Sequence, residues 1–345
     1  MSLPRKFTNV RQLGPGKNAK VFSATNSYLQ REVFLKVYPI PASDSLSALK
    51  EPQLLQELEH PNLTKIYSAD PSTDDQILLE IELIDGGSFK DIIDEAVKTA
   101  TWPAVHYCLD LIQDAAAGLS HLHAHGYVHR DIKPANLVVK RSRGRPHGLV
   151  TDLGFASKLN DSGRAFASQH SRLYRPPEVW SGAGYSVASD VYQLGLVLFQ
   201  LLGGSLDHSL ANLSDSDLFT RVAASKLVVV DSVGAHVSDS LLRVIRACIC
   251  GENQRISSIS DLVVGLNNVK AKHPNWRLTW GPHGFRLDRK DASGMKIKVE
   301  VKSAGHTHTV QRSKGRGNFR AIGDAGQFTH RNLGRCRKFR QFIEL

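Results

Sequence analysis

The stretch His129-Arg130-Asp131-Ile132-Lys133-Pro134-Ala135-Asn136-Leu137 decides how the rest of the chain reads. It sets a carboxylate, an ammonium group two residues later and a carboxamide five residues later on one short polar segment. Further along, Thr151-Asp152-Leu153-Gly154-Phe155-Ala156 brings a second carboxylate just before a glycine.

Outward from this centre the texture of the chain differs on its two sides. Residues 5–85 read as strands with one helix: Val33-Phe34-Leu35-Lys36-Val37 and Ile77 to Leu83 are short β-rich runs. Leu46 to Leu58 has leucines at helical spacing, and Asp85-Gly86-Gly87-Ser88 breaks the chain. From Phe89 to about Val269 the pattern is helical, with stretches at Val105 to His123, Asp190 to Leu202, Leu241 to Cys250 and Ile259 to Val269. A strand-rich part followed by a helix-rich part predicts an α+β fold.

These motifs resemble, in their order, those of the eukaryotic-like (Hanks-type) protein serine/threonine kinases, over residues 7 to roughly 270. His129 to Leu137 matches the catalytic loop and Thr151 to Ala156 the D-F-G element, with Leu153 in place of Phe. Leu13-Gly14-Pro15-Gly16-Lys17-Asn18-Ala19-Lys20-Val21 is similar to the Gly-rich loop, with Ala19 for its third glycine. Lys36 matches the lysine of V-A-I-K.

The resemblance implies a bilobal fold, with an N-lobe over 7–83 and a C-lobe over 84–270. It also implies an ATP- and Mg²⁺-dependent transfer to protein hydroxyls. Asp131 would be the base, Lys133 would reach the transferred phosphate, and Asn136 and Asp152 would hold metal. Gly14, Gly16, Val21 and Lys36 would contact the nucleotide. Ile81 would flank the adenine, and Glu82 and Leu83 would form the connector beside it. Counting back from His60-Pro61-Asn62 makes Glu51 the partner of Lys36, with Glu57 and Glu59 as alternatives. Pro52 directly after it requires a helix that starts or bends there.

Tyr174-Arg175-Pro176-Pro177-Glu178 resembles the end of the family's activation segment, and Arg255 is the expected ion-pair partner of Glu178. Asp190 should orient the catalytic-loop backbone, and its plainer reading is a helix N-cap. Ser171 stands where the family has a Thr that bonds the catalytic Asp and Lys. Arg130 marks the type often switched on by a phosphate in that segment, for which Ser162 and Ser168 are the candidate sites.

The charge is unevenly spread. Of a net +11, residues 271–345 hold 17 Lys/Arg against 5 Asp/Glu, so a separate basic module is expected over 273–345. Trp276-x-Leu278-x-Trp280 and Met295 to Lys302 alternate as strands do, and Ser313-Lys314-Gly315-Arg316-Gly317 reads as a turn. Arg331, Arg335, Arg337, Lys338 and Arg340, with Phe319, Phe328 and Phe339 interleaved, suit either a docking or regulatory face or contact with nucleic acid or another acidic partner. His306, His308, His330 and Cys336 match no standard zinc spacing.

Four scattered cysteines predict reduced thiols. No run reaches the roughly 18 apolar residues of a membrane span, and no secretory signal is evident, so a cytoplasmic protein is expected. Two other readings compete: a pseudokinase scaffold that recruits partners through its basic tail, and a small-molecule kinase. The presence of Lys36, Asp131, Asn136 and Asp152 together speaks against the first. Lys133 and the Pro177-Glu178 ending speak against the second.

Overall fold

A computed structural model describes residues 3–15, 19–39, 53–54, 56–73, 76–166, 171–304, 307–315, 320–321, 326–329 and 339. The first part is an antiparallel sheet of β1 (Phe7–Pro15), β2 (Lys20–Asn26), β3 (Arg31–Pro39), β4 (Ile66–Thr73) and β5 (Gln76–Glu82), in the order β1-β2-β3-β5-β4. Because successive side chains of a strand point to opposite faces, β3 sends Val33, Leu35 and Val37 into a cluster with Phe7, Ala24 and Leu78. Lys36 therefore projects from the other face, and the register sets it between Val21 on β2 and Leu79 on β5. Of the predicted helix over Leu46 to Leu58, the described residues Gln53, Leu54, Gln56 and Glu57 are helical.

The second part is built on α1 (Phe89–Thr99), α2 (Val105–Ala124), α3 (Pro177–Trp180), α4 (Val187–Leu201), α5 (Asp215–Ala223), α6 (Asp239–Cys248) and α7 (Ile259–Lys270). α4 is buried on every side from Ala188 to Leu201. A helix apolar all round belongs in a core, so its polar members, Asp190 and Gln193, need partners inside. Ser186 is the N-cap of α4, closing a capping box with Ser189. Asp190 thus lies a turn inside the helix and is no cap. Between the helices run two short antiparallel pairs, β6 (Tyr127–Val128) with β9 (Ser157–Lys158), and, between them in sequence, the hairpin of β7 (Leu137–Lys140) and β8 (His147–Val150). The loop through Asn62 is pressed onto α2 at Gly118, where a Cβ would stand 2.5 Å from the Asn62 carbonyl oxygen, so only glycine fits.

Six further strands form the basic module's sheet: β10 (Arg277–Gly281), β11 (Gly284–Lys290), β12 (Lys296–Ala304), β13 (Thr307–Gly315), β14 (Arg320–Ala321) and β15 (Gly326–Thr329), all antiparallel. The stretch expected to turn at Ser313 instead continues β13 through Gly315, because Ser313 and Lys314 pair with Lys298 and Ile297 on one side and with Ala321 and Arg320 on the other.

One face of this sheet carries Leu278, Phe285, Leu287, Val299, Val301 and Val310 into a core that also takes in Ala96, Trp102 and Ala235 of the helical part. The chain around Thr101 runs antiparallel to β10. Trp102 donates to the Leu278 carbonyl at 2.8 Å, Trp280 to Ala100 at 2.8 Å and Val105 to Trp276 at 3.1 Å. An open strand edge is thereby covered, and the sheet is welded to the helical part by backbone bonds and a shared apolar core.

This seam predicts coupled stability. Leu278→Ala should cost about 2–5 kcal/mol in urea unfolding, and amide exchange at Trp102 and Trp280 should accelerate together. Faster exchange on one side only would show that the two parts open independently.

Candidate active site

The site is assembled on a loop whose backbone is held from behind. The Asp190 carboxylate accepts the backbone N–H of His129 at 2.8 Å and of Arg130 at 2.9 Å, and His123 Nε2 lies 2.8 Å from it. Burial pushes the Asp190 pKa up, but the His123 and His129 hydrogen bonds and charges outweigh it, and the carboxyl is held below its ordinary range. Three residues on, and on the same side of α4, the Gln193 amide accepts from Ile132 N–H at 3.0 Å and donates to the carbonyls of Arg130 at 2.9 Å and Tyr174 at 3.1 Å. Arg130 can therefore be kept at φ +70°. Such a conformation costs a non-glycine residue of order 1–3 kcal/mol and persists only where its surroundings over-determine it.

The loop so fixed points Asp131 into the cleft. Its Oδ2 receives Lys133 Nζ at 2.5 Å and Asn136 Nδ2 at 3.0 Å, while Oδ1 is buried and has no hydrogen-bond partner among the described residues. Lys133 also donates to Ser171 Oγ at 3.1 Å, so the residue expected to touch both groups does reach the lysine. Asn136 donates its amide hydrogens to the Asp131 carbonyl at 2.8 Å and carboxylate at 3.0 Å, and its oxygen could serve a metal.

Asp152 stands at φ +65° beside it, and Lys36 Nζ reaches its Oδ1 at 2.8 Å across 116 residues of sequence. Burial would raise the Asp152 pKa, yet the Lys36 charge and hydrogen bond hold it below the ordinary carboxylate value. Leu153 is fully buried, so leucine fills the apolar slot after the aspartate. Two oxygen donors, one a carboxylate, suit Mg²⁺, which is usually bound by one or two carboxylates together with substrate phosphates. Among the described residues no cluster of three or more His, Cys, Asp and Glu could hold a metal by itself.

The other predicted residues fall as follows. Glu178 and Arg255 form a buried bidentate pair at 2.7 and 2.9 Å, and Ser189 donates to the same carboxylate at 2.7 Å. Arg130 donates to the carbonyls of Phe155 at 2.6 Å and Phe166 at 3.3 Å. Ser162 lies in a turn closed by the Asn160 side chain. Gly14 pairs with Val21 across β1 and β2, and the Glu82 side chain at the connector pairs with Lys140. The Glu82 N–H is bonded to Lys65 O at 2.8 Å and is therefore not free to bond a base. Glu51, Gly16 and Ser168 lie outside the described residues.

The role of Gln193 escaped the reading of the sequence, although an amide in the apolar run after Asp190 was the available signal. His123 was equally silent there. His308 is bonded to Ser303 at 2.8 Å, and His306, His330 and Cys336 lie outside the described residues.

Asp190→Ala leaves two backbone donors orphaned inside the protein, at about 1–3 kcal/mol each. The sign with pH follows from the lowered pKa: the stabilisation is fully present above the unfolded value near 4 and is lost as pH falls through the lower folded value. Urea unfolding of parent and variant should therefore differ at pH 7, and the gap should close toward pH 2. A gap that stays constant with pH would mean that the carboxylate's charge contributes nothing.

The family model for the protein kinase domain matches residues 7–264. The chain is 32% identical to serine/threonine-protein kinase PknJ of Mycobacterium tuberculosis over 56% of its own length and 33% of the relative's. It is 30% identical to serine/threonine-protein kinase PrkC of Bacillus subtilis over 58% of its length and 31% of the relative's. With serine/threonine-protein kinase ATG1a of Arabidopsis thaliana the identity is 32%, over 50% and 27% of the two chains. The chain spans about a third of the length of the curated relatives it matches. Among the described residues no helix is long and apolar enough to cross a membrane. With three-quarters of its length matched by one family, the chain belongs to the protein kinases.

Proposed function

We propose that the chain is an ATP- and Mg²⁺-dependent protein serine/threonine kinase, with residues 7–270 as the catalytic unit and 273–345 as an attached docking or regulatory module. The observation that carries this reading is the divided Asp131 carboxylate. One oxygen is neutralised and oriented by Lys133 and Asn136, and the other is buried and unspent. A buried acceptor without a donor is costly, and a substrate hydroxyl is the donor that the cleft lacks. In the transfer, the hydroxyl proton passes to Asp131 Oδ1 as its oxygen bonds the γ-phosphorus and the bond to the β,γ-bridging oxygen breaks. Mg²⁺, held by Asn136 and Asp152, would neutralise phosphate charge. Lys36 positions the phosphates, and Lys133 offsets the charge that develops on them.

Serine and threonine are favoured as acceptors over tyrosine by Lys133, by Ser171 bonded to it, and by the serine/threonine class of the relatives. Phosphorylation at Ser162 or Ser168 belongs to the same proposal, with Arg130 exchanging the carbonyls of Phe155 and Phe166 for the phosphate. The outer basic face of the C-terminal module is assigned to contact with an acidic protein partner, since the intimate seam with the helical part suits a docking surface that communicates with the catalytic unit.

Incubation with labelled ATP, Mg²⁺ and a generic basic protein should give phosphoserine or phosphothreonine. Asp131→Ala should lower the rate by about 10²–10⁴-fold with folding unchanged by circular dichroism. Equal rates for parent and variant would remove Asp131 from the role of base, and no label under any condition would favour the scaffold reading.

A further inference from the structure

The register of the C-terminal sheet divides its inward face into rows. Phe285, Val301 and Val310 make one apolar row. In the next, Leu287 and Val299 are joined by Arg312. In the third, Arg289 and Lys314 flank Ile297. Two arginines therefore stand diagonally across β12 on the face that elsewhere forms the core. Strands lie about 4.8 Å apart, so their long side chains can meet over Ile297 and Val299.

Neither arginine has a hydrogen bond or an ion pair with any described residue, and the Nε of each is buried without a partner. Lys314, by contrast, is paired with Asp291 at 2.6 Å. Arg289 lies over the Trp276 ring, its Cζ 4.9 Å from the centroid, and Trp276 Nε1 is a third buried donor without an acceptor. Burial, followed by the positive charge of Arg312, lowers the Arg289 pKa, outweighing the opposing charge of Asp291, which is itself paired with Lys314. Three orphaned N–H donors and two like charges in one place are unfavourable for the fold taken alone. Buried donors left unsatisfied in a native structure call for an ion or water as the missing acceptor.

We propose that Arg289, Arg312 and Trp276 form an oxyanion site for a phosphate monoester, on the inward face of the C-terminal sheet. Two guanidinium groups supply forked pairs of N–H donors that match phosphate geometry, and their double charge balances the dianion. A phosphodiester brings a single charge and would leave one arginine uncompensated. The site belongs to the C-terminal sheet and is separate from the cleft around Asp131 and Asp152, and it does not depend on the chain being an active kinase.

The test uses the full chain, treated with phosphatase and freed of phosphate, at constant ionic strength. Calorimetric titrations compare inorganic phosphate, the blocked tripeptide Gly-phosphoserine-Gly and its unphosphorylated twin, with the parent, Arg289→Met and Arg312→Met. Methionine keeps an apolar stem over Trp276 and Val299, so the fold should survive. The parent should bind both phosphate-bearing probes and not the plain peptide. Each variant should bind them at least about tenfold more weakly, a difference of about 1.4 kcal/mol, and without ligand should melt no lower than the parent. Phosphopeptide bound tighter than free phosphate identifies a phosphorylated side chain as the source, and equal affinity identifies the free anion. No binding to the parent, or equal binding to the Met variants, overturns the proposal and leaves the arginines solvated by water. Tight binding of a single-stranded oligonucleotide without binding of phosphate also overturns it.

Discussion

Two backbone N–H groups bonded to one buried carboxylate hold this molecule's chemistry in place. Asp190, inside the most apolar helix of the fold, reaches the amides of His129 and Arg130 and fixes the loop that presents Asp131. Gln193 repeats the arrangement one turn along, adding Ile132 and Tyr174. The catalytic loop and the activation segment are thereby referred to the same rigid helix. The strain at Arg130 is tolerable only because both neighbours of its peptide units are bonded. Residues that never meet a substrate thus set the geometry of those that would.

The charges in the cleft follow from that scaffold. Asp131 is divided between a neutralised and an unspent oxygen, and Asp152 is held ionised by a lysine from the opposite part of the fold. The Lys36–Asp152 pair closes the cleft across 116 residues of sequence, so the strand-rich and helical parts are joined through the site as well as beside it. Glu178, Arg255 and Ser189 anchor the far end of the activation segment in the same buried layer. A buried pair of this kind contributes little net stability against an apolar replacement, yet losing one partner is strongly destabilising. Its value here is in fixing where the segment ends.

The C-terminal sheet is no loose appendage. Its first strand bonds the chain at Trp102 and Val105, and its apolar face shares a core with Ala96, Trp102 and Ala235. α1, which begins at the connector between the two parts of the kinase fold, contributes Ala96 to that core. A ligand on the sheet's inward face would therefore act on residues continuous with the protein kinase domain.

Much of this was legible in the residues themselves. The local spacing of Asp131, Lys133 and Asn136, the Asp-x-Gly at 152–154 and the order of the segments around them set the fold class, because these groups act within a few residues of one another. Alternation gave the strands, and apolar periodicity gave the helices to within a few residues, because period reflects which face is buried. What tertiary structure decided was every relation between distant segments. Asp190 proved to be an interior acceptor and no cap, since only packing shows which backbone groups α4 meets. Gln193 showed in the sequence only as an amide in an apolar run, and packing alone reveals the backbone groups it meets. Arg289 and Arg312 are ordinary basic residues in the chain, and only strand register, which a single sequence leaves open, turns both to the inward face with their buried Nε groups unpartnered.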